Sequence, residues 1–119
     1  MKPDMTQAEA IAALDKFRNE EAFLQWVVNA AVQLGWNREL IYHTRDSRRS
    51  TKGFPDLCMV QATLGKKSRL LFAELKMPEG KMTHAQSNWQ MVLRSLELPE
   101  VEVYVWRPAD MDTILEVLS

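Results

Sequence analysis

The sequence predicts an α/β domain in which helices flank a mixed four-stranded sheet. Two observations lead there. The apolar residues fall into an order of two helical stretches, three strand-like stretches, one helix, one strand and a last helix. In addition, the fourth strand is separated from the third by a helix, and such a crossover returns the chain parallel to the strand it left.

Each element has a local reason. Thr6, with Glu9 three residues on, forms a capping box for a helix to about Phe17. A second helix runs from about Asn19 to Leu34, with Phe23, Leu24, Val27, Ala30, Ala31 and Leu34 on one broad apolar face, and Gly35 ends it. Ile41 to Arg45 reads as the first strand and Asp46 to Pro55 as a polar, basic loop. Asp56 to Gln61 is the second strand, Leu64 to Lys67 a hairpin turn, and Arg69 to Lys76 the third strand. Pro78 and Gly80 break the chain, and Thr83 caps a helix to about Leu96 that turns Trp89, Val92, Leu93 and Leu96 inward. Val101 to Trp106 is the fourth strand, and Ala109 to Leu118 closes as a short amphipathic helix. Residues 1–18 form a helical extension and 19–119 the domain proper.

At 119 residues the chain is one domain with room for a core. No apolar run approaches the roughly 20 residues of a membrane span, and the N-terminus shows no signal-peptide pattern. One cysteine, Cys58, allows no internal disulfide, which suits the cytoplasm. One Cys and two His cannot build a usual zinc site. A net charge of −1 argues against indiscriminate nucleic-acid binding, but the charge is unevenly spread. Arg38, Arg45, Arg48, Arg49 and Lys52 face only Glu39 and Asp46 in that stretch; Lys66, Lys67 and Arg69 follow. From Glu97 onward there are six acids and one base, Arg107. A basic front and an acidic back can bind a polyanion in one orientation.

The chemistry is concentrated in Gly53-Phe54-Pro55-Asp56 and in Glu74-Leu75-Lys76, eighteen residues after the aspartate. Alternate side chains of a strand share a face. Glu74 and Lys76 therefore point one way and Leu75 points into the core, while Asp56 opens the neighbouring strand and can sit beside them. Two carboxylates and an ammonium on one sheet face are costly in a dry core without a metal or a reaction to serve. Asp56, Glu74 and the backbone carbonyl of Leu75 are the oxygen donors that Mg²⁺ or Mn²⁺ would take. Lys76 is placed to orient or activate a water, or to stabilise charge on a phosphate. The pattern is that of a metal-dependent nuclease, with no small-molecule cofactor.

Taken with Thr83-His84-Ala85-Gln86, Tyr42 to Ser50 and Val103 to Pro108, these motifs resemble the VRR-NUC domain, a branch of the PD-(D/E)xK nuclease superfamily. The resemblance covers about a hundred residues. It implies the αβββαβ core of that superfamily and a Mg- or Mn-dependent DNA endonuclease. It also implies metal-binding roles for Asp56 and Glu74, a catalytic role for Lys76, and a place in the site for Gln86 and for an acid on the first core helix. Glu20 and Glu21 compete for that last place; Glu20 is favoured because it shares the face of Phe23, Leu24 and Val27. Stand-alone domains of this type, from phage and bacteria, form homodimers and cut branched DNA such as four-way junctions.

Arg45, Arg48, Arg49 and Lys52 are candidate phosphate contacts. His43 reads as a structural histidine or another phosphate contact. Trp26, Trp36, Trp89 and Trp106 read as core or dimer interface, with the Ala8, Ile11, Ala12 and Leu14 face or the Trp26 region as candidate contact, and Cys58 as a small core residue. Two other functions compete: a module that binds branched DNA or a protein without cutting, and a sequence-specific restriction-type endonuclease. Retention of Asp56, Glu74 and Lys76 disfavours the first, and the absence of a base-reading module disfavours the second.

Overall fold

The computed structural model describes residues 19–44 and 51–119. The predicted helix from Thr6 to Phe17, and Arg45, Arg48 and Arg49, lie outside them. The described elements are α1 (Glu20–Gln33), a 3-10 turn (Arg38–Leu40), β1 (Ile41–His43), β2 (Leu57–Gln61), β3 (Arg69–Leu75), α2 (His84–Arg94), β4 (Val101–Trp106), a second 3-10 turn (Pro108–Asp110) and α3 (Met111–Leu118).

The sheet runs β1-β2-β3-β4. The first three strands are antiparallel neighbours, and β4 pairs parallel to β3 with Leu75 opposite Trp106. The predicted mixed α/β sheet and its parallel last pair are both present. One face carries the main core. Leu57, Met59, Leu71, Ala73, Leu75 and Trp106 meet Phe23, Val27 and Ala31 of α1 and Ile114 and Leu118 of α3. α1 starts at Asn19, whose side chain accepts from Ala22 N at 2.9 Å, and stops before Gly35, which takes φ +103°.

α2 lies on the opposite face, and its orientation corrects the sequence reading. Val92 and Leu96 are half exposed, at 49% and 51%. The residue α2 buries is Gln90, whose Nε2 donates to the Tyr104 carbonyl at 3.3 Å. The helix crosses toward strand β4, so its amides reach backbone oxygens and part of its apolar stripe faces outward.

Cys58 also departs from expectation. It sits half-buried on the α2 face of β2, outside the main core, and burial raises its thiol pKa. Trp36 and Trp106 are core residues, as read. Arg69 is not part of a free basic cluster. Its guanidinium grips Glu102 with two bonds of 2.7 Å, donates to Val117 O at 2.8 Å, and lies 5.0 Å from the Trp36 ring. Trp36 Nε1 donates to Leu118 O at 2.9 Å, so Arg69 and Trp36 together tie α3 to the sheet.

Two short bonds fix the approach to β2: Thr44 N–H donates to Asp56 O, and Phe54 N–H to Thr51 O, each at 3.1 Å.

Candidate active site

The chemistry-bearing residues meet where β3 ends and β2 begins. Strand alternation places Leu75 in the core at 1% exposure, with Glu74 (2%) and Lys76 (8%) on the other face. Asp56, one residue before β2, is oriented by the backbone of β3: Leu75 N–H donates to its Oδ2 at 2.8 Å. Lys76 N–H donates to Trp106 O at 2.9 Å, which extends the parallel pairing one residue beyond β3.

Glu74 is the centre of the cluster. Its Oε1 accepts from Gln86 Nε2 at 3.0 Å and lies 4.0 Å from Lys76 Nζ. Its carboxyl shares a hydrogen bond with that of Asp56. Burial, and then the charge of Asp56, push the Glu74 pKa up to about 9, against the pull of Lys76. The metal-free carboxyl therefore favours its protonated form beside Asp56.

Gln86 is held by the start of α2. Its backbone N–H donates to Thr83 Oγ1 at 3.1 Å, while its Oε1 accepts from Thr83 N at 2.9 Å, a capping box. The same amide thus ends the helix with its oxygen and reaches Glu74 with its nitrogen.

Glu20 stands at the first position of α1 and is exposed, rather than on the buried face with Phe23. Loss of solvent, then the charge of Asp56, raise its pKa, with Lys76 acting the other way. It is therefore near enough to the cluster to feel its charges. Glu21 accepts from Gln25 Nε2 at 3.3 Å along its own helix.

Of the other sequence candidates, Lys52 is exposed and near the site, through a bond from Trp89 Nε1 to its carbonyl at 3.2 Å. His43 pairs with Leu57 in β1, and its Nδ1 is buried with no partner among the described residues.

The sequence reading gave no role to the way residues 51–56 dock. Phe54 sits edge-on between Phe72 (6.1 Å) and Trp89 (5.0 Å). Gly53, at φ +83°, lies so close to α2 that an added Cβ would be 2.5 Å from the Ala85 carbonyl carbon. The glycine and the aromatic in Gly53-Phe54-Pro55-Asp56 were the available signals.

The donors fit a hard divalent cation. They are oxygens only, and two adjacent carboxyls sharing a proton offer what such a cation would displace. Among the described residues no three His, Cys, Asp or Glu side chains stand together as a ready cage. Asp56, Glu74 and the Leu75 carbonyl are the oxygen donors that could hold such an ion; the charges of Asp56 and Lys76 reach Glu20.

A match to the VRR-NUC domain family spans residues 5–107. Comparison with curated proteins and with solved structures gives no match.

Proposed function

The chain belongs to the VRR-NUC family of PD-(D/E)xK-type nucleases acting on DNA, and from that membership we propose that it is a Mg²⁺- or Mn²⁺-dependent endonuclease cutting branched DNA such as four-way junctions. The observation that carries the reading is the Asp56–Glu74 carboxyl pair with Lys76 4.0 Å from Glu74. When bound, the divalent ion lowers the pKa of a water and polarises the phosphoryl oxygen.

The chain's own groups do the rest. Asp56, Glu74 and the Leu75 carbonyl would hold the ion, and Gln86 fixes the rotamer of Glu74. Lys76 orients the attacking water and offsets negative charge on the phosphate. Glu20, rather than Glu21, completes the acidic set from α1. Arg45, Arg48, Arg49 and Lys52, just before Asp56 in sequence, hold flanking phosphates.

A four-way junction has near two-fold symmetry and needs two coordinated cuts, so the active species is a homodimer.

The test is cleavage of labelled four-way, flap, duplex and single-stranded DNA, with and without Mg²⁺ or Mn²⁺. Junctions are cut in pairs, while Lys76→Ala and Asp56→Asn bind but do not cut. Normal cleavage by either variant would remove the site assignment. A monomer in sedimentation that still cuts junctions in pairs would remove the symmetry argument.

A further inference from the structure

Among the described residues, Arg107 is a cation without an anion. It follows Trp106, which pairs with Leu75, so it stands beside Lys76 on the neighbouring strand. Its backbone is extended, at φ −124° and ψ 161°. Alternation therefore directs its side chain to the face of Val105, which is also the face of Glu74 and Lys76.

The guanidinium is fixed there. Nη1 donates to Met77 O at 2.7 Å and Gly80 O at 2.8 Å. The turn it grips lies beside the Lys76 stem: a Cβ added to Gly80 would stand 3.4 Å from Lys76 Cδ. Among the described residues no carboxylate pairs with it. The nearby acid, Asp110, accepts instead from the Arg107 backbone N–H at 2.8 Å.

Two carbonyls orient a guanidinium but do not neutralise it. Nε and Nη2 are left without a partner among the described residues, and they form the fork that matches phosphate oxygens. We propose that Arg107 is a DNA-binding residue that holds a backbone phosphate next to the one attacked beside Lys76. The proposal rests on the reading of Asp56, Glu74 and Lys76 as the nuclease site.

The test compares wild type, Arg107→Gln and Arg107→Lys. Junction binding is measured across salt concentrations with Ca²⁺ in place of Mg²⁺, and kcat and KM are measured with Mg²⁺. For Arg107→Gln, binding weakens about tenfold at low salt, the salt slope falls by about one, and KM rises by more than kcat falls. Arg107→Lys keeps the slope and loses affinity several-fold.

An unchanged slope for a folded Arg107→Gln, with kcat and Tm both lowered, would reduce Arg107 to a clamp on the Met77–Gly80 turn and overturn the proposal. If Arg107→Gln does not fold, Arg107→Lys decides. Weaker binding at unchanged Tm supports the phosphate contact; lower Tm at unchanged affinity overturns it. Wild-type protein that binds DNA yet cuts nothing would defeat the nuclease reading alone, because the binding comparison still reports on Arg107.

Discussion

Gly53 and Ala85 touch backbone to side chain and backbone: a Cβ on Gly53 would stand 2.5 Å from the carbonyl carbon of Ala85 and 2.7 Å from its Cβ. The contact joins the residues leading to Asp56 with the first turn of α2, one residue before Gln86. Gly53→Ala therefore has two faults, a left-handed φ and a collision with backbone. Cleavage falls at least tenfold and Tm drops by several degrees, read by junction cutting and thermal unfolding. Wild-type cutting by this variant would show that the docked segment does not position the site.

Gln86 performs two tasks that substitutions separate. Gln86→Leu loses the reciprocal half of the capping box, in which its Oε1 accepts from Thr83 N, and also the bond to Glu74. Gln86→Glu keeps an acceptor for Thr83 N but places a carboxylate against a buried carboxyl. Both variants lose most of their activity, while only Gln86→Leu frays the start of α2. Amide exchange at residues 84–87 and cleavage assays together check this, and full activity in Gln86→Glu would contradict it.

Metal-free stability has a defined pH trend. Glu74 is raised from 4.5 to about 9 in the folded protein, so the fold binds a proton that the unfolded chain releases. Its contribution is fully present below about pH 4.5 and is lost as pH rises toward 9. Denaturation midpoints thus fall between pH 5 and 9, and Glu74→Gln flattens the trend. The same proton must leave when a divalent ion binds, so Mg²⁺ or Mn²⁺ affinity rises over that range. Calorimetry in buffers of different ionisation heat counts the proton; none released at pH 7.5 would contradict the protonated pair.

The Arg69–Glu102 pair is a stability element remote from the chemistry. Tyr104 OH donates to Glu102 Oε1 at 2.8 Å, and Arg69 also reaches Val117 O. Arg69→Met costs about 2 kcal/mol, in the range for hydrogen bonds to charged groups, and leaves kcat per folded molecule unchanged. A double-mutant cycle with Glu102→Gln returns a coupling of about 1 kcal/mol. Additive effects would show the pair to be idle.

Strand alternation was enough to separate Leu75 from Glu74 and Lys76, because the rule is local and one face is dry. The parallel pairing of β4 was equally legible, since a helical crossover dictates it. α2 was misread because periodicity assumes that the widest apolar face turns inward. Here Gln90 serves the Tyr104 carbonyl and Val92 stays outside, a choice made by the sheet edge the helix meets. Glu20 was selected from sequence for a buried face, yet it is exposed at the start of α1, near enough to feel the charges of Asp56 and Lys76. Helix termini escape face arguments because the first turn projects past the core. Trp89 could be seen as aromatic but not as the partner of Lys52 O and Phe54, since that contact spans more than thirty residues.

The bond between Thr44 and Asp56 has a practical meaning. Thr44 N–H donates to the Asp56 carbonyl at 3.1 Å, and Leu75 N–H donates to its carboxyl at 2.8 Å. One residue is thus pinned from two sides, its backbone by the end of β1 and its side chain by β3. Displacing either strand tilts the same carboxyl, so the sheet works as a two-point mount whose alignment can be read at a single residue.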